Sequence, residues 1–120
     1  MVKHMKLFDV SSDSTCDLYK SYVEERNIWF VPLTFSLEKG GKITEHLDAF
    51  SSYEEYVDFY RQVKGGAMPR TAMLNYEAHI EHFIKMAKAG VKDVLHFSIS
   101  SGLARTVTVA MEAAEEVKKR

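Results

Sequence analysis

Leu7-Phe8-Asp9-Val10-Ser11-Ser12-Asp13-Ser14-Thr15 sets a short apolar run against five consecutive residues drawn only from serine, aspartate and threonine. The apolar run reads as a buried strand, and the polar run is rich in the side chains that cap helix amino ends. A helix is expected to follow as far as Arg26, with Leu18, Tyr22 and Val23 on one face. The same grammar returns near the other end of the chain. Val94-Leu95-His96-Phe97-Ser98-Ile99 reads as a strand, and Ser100-Ser101-Gly102 turns it into a last helix rich in alanine, glutamate and lysine. A strand, a hydroxyl-bearing turn and a helix, met twice, imply βα units and a mainly parallel sheet.

Working outward from these stretches, Ile28 to Leu37 is β-branched and aromatic, with Leu33, Phe35 and Leu37 alternating with Thr34 and Ser36, the period of a half-buried strand. Gly40-Gly41 supplies a hairpin turn into a short strand near Ile43. Ser51 and Ser52 each stand three residues before a glutamate, the capping-box spacing, and open a helix carrying Tyr56, Phe59, Tyr60 and Val63 that Gly65-Gly66 ends. Met68-Pro69-Arg70-Thr71 reads as a loop. Asn75 caps a further helix to Ala89 whose Ile80, Phe83, Ile84 and Ala87 keep core spacing, and Gly90 terminates it. The expected fold is a three-layer α/β/α arrangement with a mainly parallel sheet covered on both faces. At 120 residues and 46% hydrophobic, residues 1–120 are expected to form one domain.

Sixteen Lys and Arg against seventeen Asp and Glu give a formal charge of -1, with no field to draw the chain to nucleic acid or anionic lipid. The terminal Lys118-Lys119-Arg120 complements a helix carboxyl end. The single cysteine, Cys16, forms no internal disulfide and reads as a small buried hydrophobe without a local base. The start, Met1-Val2-Lys3-His4-Met5-Lys6, lacks the apolar run of a secretory signal, and no stretch reaches the roughly 18 apolar residues of a membrane span. Cytoplasmic residence is the expectation.

Parallel strands put their carboxyl ends on one side, so the turns Ser11 to Thr15 and Ser98 to Gly102 are expected to converge. Ligands of open parallel sheets bind outside those ends, where helix amino termini offer N–H groups and partial positive charge. Hydroxyls add donors suited to a carboxylate, Gly102 allows close backbone approach, and Thr71, just before another helix start, is a third contributor. The residues so marked are Ser12, Asp13, Ser14, Thr15, Thr71, Ser100, Ser101 and Gly102. Taken one at a time, the same residues also read as plain helix caps.

Ser12-Asp13-Ser14-Thr15-Cys16-Asp17-Leu18 resembles the aspartate-serine-threonine segment after the first strand of DegV proteins. Val31-Pro32-Leu33 is similar to that family's second-strand motif, Pro69-Arg70-Thr71 to its threonine-serine loop, and Ser98-Ile99-Ser100-Ser101-Gly102-Leu103 to its serine-serine-glycine-leucine signature. The four blocks keep the family's order over residues 7 to about 113. The resemblance implies a protein that binds a long-chain fatty acid in a tunnel, needs no cofactor, and presents the carboxylate to a partner kinase while performing no chemistry itself. By the same resemblance, Thr71 and Ser101 donate to the carboxylate. The chain departs from the family at Ala72, where a serine is usual, and at Ala104-Arg105-Thr106, where serine-glycine-threonine is usual; Arg105 reads as a cation reaching to solvent. Family chains are somewhat over twice as long, so a missing second lobe or a homodimer is expected to cover the apolar surface left here.

His79 and His82 flank Glu81 on one helix and offer two metal ligands without a third; a solvated face is expected there instead. Ser101 lacks the preceding glycine and the later aspartate-histidine pair of a hydrolase. A phosphorylated small molecule, bound or turned over by a kinase-like domain of related fold, suits the same helix termini. However, no lysine-bearing glycine-rich loop is present, and Lys6 and Lys42 substitute poorly. A shortened regulatory piece acting only with another lobe is the remaining reading. Trp29, Phe30, Tyr53, Tyr56, Phe59 and Tyr60 line a tunnel or simply fill a core.

Overall fold

The computed structural model describes residues 7–72 and 75–120; Met1 to Lys6, the stretch read for a secretory signal and for Lys6 as a phosphate ligand, lies outside the described residues. The chain is α/β. Strands β1 (Asp9–Asp13), β2 (Trp29–Val31) and β6 (Val94–Phe97) form a parallel sheet in the order β2-β1-β6. Strands β3 (Thr34–Lys39), β4 (Lys42–Leu47) and β5 (Met68–Ala72) form an antiparallel sheet in the order β4-β3-β5. Helices α1 (Lys20–Glu25), α2 (Tyr53–Lys64), α3 (Tyr76–Lys88) and α4 (Thr106–Lys118) complete the described elements.

The expected single strand from Ile28 to Leu37 is two strands in two sheets. Pro32 has no N–H to offer a ladder, and the chain leaves the parallel sheet there. The Leu33 N–H is taken instead by Ser14 Oγ at 2.9 Å. The hairpin at Gly40-Gly41 forms as expected: φ is +59° and +79°, both positive as a type I′ turn requires, and the strands register Lys39 against Lys42. Met68 to Thr71 is not a loop but strand β5, paired along β3 from Glu38↔Met68 to Thr34↔Ala72. Its place at the sheet edge is what tolerates Pro69. The helix expected after the Ser11 to Thr15 run, as far as Arg26, is likewise shorter. Ser11 to Asp13 continue β1, residues 14–16 make one 3-10 turn, and Asp17 at φ +57° breaks the path before α1. Of its expected face only Val23 is buried, while Leu18 and Tyr22 are exposed.

Two separate cores result. Ile80, Phe83 and Met86 of α3 pack with Ala110 and Ala113 of α4, joined by Trp29 of β2; Ala87, expected in this core, is exposed. Phe35, Leu37 and Ala67 pack with Phe59 and Val63 of α2, while Tyr60 is exposed. Ser52 caps α2 through the full capping box with Glu55, and Asn75 Oδ1 caps α3 by accepting from the Ala78 N–H at 2.8 Å. Ser11 and His96 point to the helix-covered face of the parallel sheet, so by alternation Val10, Leu95 and Phe97 point to the other. There, among the described residues, Leu95 is 49% and Phe97 53% exposed. The sheet is thus covered on one face and largely open on the second.

Candidate functional site

The two hydroxyl turns meet because β1 and β6 are adjacent parallel strands. Asp13, fully buried at the end of β1, ties them. Its Oδ2 accepts from Ser98 Oγ at 2.6 Å, and its Oδ1 accepts from the Thr15 N–H at 2.9 Å and from the Thr15 hydroxyl. Buried carboxylate oxygens that each hold donors fix a turn firmly, since an unmade bond there costs the full desolvation of the group.

The same bonds decide which marked residues can address a ligand. Asp13 is consumed internally. Ser12 Oγ donates to backbone carbonyls at Asp13 and Phe97, and Ser12 borders the open face with Val10, Cys16 and Phe97. Cys16, expected to be buried, is only half-buried there. Ser14 Oγ accepts from the Leu33 N–H and donates to the Asp48 carboxylate. Thr15 reaches a cleft, but its O–H is committed to Asp13.

That cleft, about 630 Å³, lies between the sheet ends and α2. One wall is aromatic: Phe35, Phe50, Tyr56, Phe59 and Tyr60, with Phe35 edge-on to Phe59 at 5.2 Å and Phe50 against Tyr56 at 4.5 Å. Thr71 of β5 pairs directly with Phe35 on the neighbouring strand, and Ala72, Ile99, Leu103, Ala104 and Thr106 complete the lining. Thr71 and the turn after β6 therefore share one cleft. Ser100, Ser101 and Gly102 stand exposed on that turn and do not line the cleft wall themselves. Ser100 Oγ accepts from the Gly102 N–H at 3.2 Å, while the side chains of Thr71 and Ser101 make no hydrogen bond among the described residues. Behind them α4 begins at Arg105 without a side-chain cap, and the Arg105 side chain is exposed. Uncapped N–H groups at a helix start carry partial positive charge.

The two ends of the cleft differ electrostatically. Asp17 and Asp48 line the end near Thr15. Burial raises the Asp48 carboxyl above its usual range; the Ser14 hydroxyl opposes the shift, and the charges of Asp17 and Asp13 add to it. Burial, with Asp48 beside it, also raises the Tyr56 phenol, which stays protonated. An anionic group is disfavoured beside Asp17 and Asp48.

Sequence reasoning went wrong at His79 and His82. Neither lies on a solvated face: His79 is 0% and His82 7% exposed, both turned toward the parallel sheet and His96. The 79–82 spacing matched the Ile80 and Phe83 stripe beside it, and that shared face was the available signal. Among the described residues, no group of three or more His, Cys, Asp or Glu is arranged to hold a metal ion. None of the described helices is long and apolar enough to cross a membrane. Asp48 and the aromatic wall of Phe35 and Phe50 were also not marked, because their placement depends on the antiparallel sheet.

Comparison with known proteins agrees with this architecture. Residues 8–120 match a family described as "Uncharacterised protein, DegV family". A DegV domain-containing protein of Clostridium perfringens is 30% identical over 116 residues, covering 97% of this chain and 38% of the relative. A DegV domain-containing 15.5 kDa protein of Staphylococcus aureus is 30% identical over 108 residues, covering 90% of this chain and 72% of the relative. A solved protein from Thermotoga maritima, described as revealing a fatty acid binding function, superposes with a TM-score of 0.72 at 28% identity, covering 95% of this chain and 40% of that one. The chain spans about two fifths of the length of the first and third of these. A family match running from the first strand to the final residue, over the fold those relatives share, makes this chain a member of the DegV family.

Proposed function

We propose that the chain is a binding module for a long-chain fatty acid. The carboxylate sits at the Thr71 to Ala104 end of the cleft, taking hydrogen bonds from Thr71 and Ser101 beside the uncapped start of α4. Ser100 and Gly102 shape that turn, and the Ser12 to Thr15 segment holds it in place through Asp13. The acyl chain runs along Phe35, Phe50 and Phe59. The single observation that carries the reading is the joining, in one cleft, of an aromatic wall to Thr71 and to the foot of the turn that bears Ser101. Its size lies in the range of about 300 to 1,000 Å³ expected of small-molecule sites. Further support comes from the Thermotoga maritima relative, described as binding fatty acid.

On this reading the chain performs no chemistry, uses no cofactor, works in the cytoplasm and offers the carboxylate to a partner kinase. A second lobe or a second copy of the chain covers the open sheet face around Leu95 and Phe97; sedimentation of the purified chain at micromolar concentration separates the two. Mass spectrometry of an organic extract of the freshly purified protein is expected to show long-chain fatty acid. An empty extract, with no uptake of added oleate, would falsify the reading.

A further inference from the structure

Three imidazoles meet where α3 docks on the parallel sheet. His79 and His82 come from α3 and His96 from β6, with the His79 and His96 rings 6.1 Å apart and the His82 and His96 rings 6.0 Å apart. Ser11 of β1, itself fully buried, sits between two of them, its Oγ 2.6 Å from His82 Nε2 and 2.9 Å from His96 Nδ1. A hydroxyl has one proton, so Ser11 donates to one ring and accepts from the other. The ring that receives the Ser11 proton must present a bare nitrogen, so the bridge is broken when both rings are charged.

On His79 and His96 a further proton would have no acceptor. His79 Nδ1 donates to the Asn75 carbonyl at 3.1 Å, so its Nε2 is the only position left to protonate. His79 Nε2 and His96 Nε2 are both buried without a partner. A proton placed on the His79 nitrogen makes a charged donor with nothing to receive it, beside two other imidazoles.

Charges on the surrounding elements do not relieve this. From β1, Asp13 favours the charged forms of His79 and His96, but its oxygens already hold Thr15 and Ser98. From α3 itself, Lys85 opposes a charge on His82. His82 also borders a groove lined by Asp9, Lys20, Glu24 and Lys85. Where α4 packs on α3, its buried side chains are Thr106, Ala110 and Ala113. Burial lowers the proton affinity of all three rings and pushes His82 down to about 4 from 6.5.

We infer that the His79–His82–His96 cluster with Ser11 is an acid-sensitive latch that holds α3, and with it α4, on the parallel sheet. The α3–α4 core is separate from the core beneath α2, so this pair can open as a unit while the antiparallel sheet keeps its packing. The sign follows from proton counting. Between roughly pH 6.5 and pH 4 the opened state binds protons that the closed state excludes, so docking weakens as pH falls through that window and is constant above it.

Hydrogen exchange of the whole chain at pH 7 and pH 5, corrected for intrinsic rates, tests the latch. Protection of α3 and α4 is expected to fall by at least about tenfold more than that of α2 and β3. Unchanged protection in α3, or an equal loss across the whole chain, overturns it. The variant His82→Gln is expected to flatten the pH dependence. Should that variant not fold, an imidazole NMR titration of the unmodified protein decides. The three rings should stay neutral until the α3 amide signals move, and a ring that charges between pH 6 and 7 with α3 unmoved overturns the inference.

Discussion

At the scale of single residues, bonding within the protein separates scaffold from site. The serines, threonines and aspartate marked in the sequence share one chemistry, but those at the end of β1 use it internally: Asp13 holds Thr15 and Ser98, and Ser14 holds Leu33. Thr71 and Ser101 keep theirs. Replacing Thr71 with valine preserves shape and removes one donor to a charged group, an interaction of about 1.5 kcal/mol or more. Oleate affinity, read by calorimetry, is expected to fall about tenfold in Thr71→Val and to be largely retained in Thr71→Ser. Equal affinity in Thr71→Val and the unmodified protein would remove Thr71 from the site. Residue type announced the hydroxyl clusters; which hydroxyls remain available depends on where Leu33 and Ser98 arrive, and no local pattern reports that.

At the scale of elements, legibility followed the range of the interactions involved. Caps and turns are local, so the Ser52 capping box, the Asn75 cap and the Gly40-Gly41 hairpin could be read directly from their residues. Sheet membership is not local. The break at Pro32 and the recruitment of Met68 to Ala72 as an edge strand depend on β3 already standing beside them. The buried histidines were misread because a polar residue on an apolar stripe looks solvated until the partner face, here Ser11 and His96, is known. Ser52→Ala removes the α2 cap and is expected to destabilise the protein by about 1 kcal/mol, seen as a Tm lower by a few degrees. Since α2 carries the aromatic wall through Tyr56 and Phe59, a change in ligand affinity well beyond the small loss of fold stability would show that α2 is not preorganised.

At the scale of the whole molecule, one layout serves the proposed function. Adjacent parallel strands bring Asp13 and Ser98 together, the antiparallel sheet carries Thr71 to the same cleft, and α2 supplies its apolar side. The α/β class and the convergence of the first and last hydroxyl turns were legible from βα order alone. The open face around Leu95 and Phe97 was not legible: the sheet was expected to be covered on both faces, and an apolar strand residue carries no local mark of whether another element covers it. The central claim is that one cleft joins a carboxylate-holding rim to an apolar wall, and titrating isotopically labelled protein with oleate tests it most directly. Amide and methyl shifts are expected to concentrate at Thr71, Ile99 to Ala104, Phe35 and Phe59, with α3 and α4 beyond Thr106 unaffected; shifts confined to the open face around Leu95 and Phe97, or none at all, would contradict it.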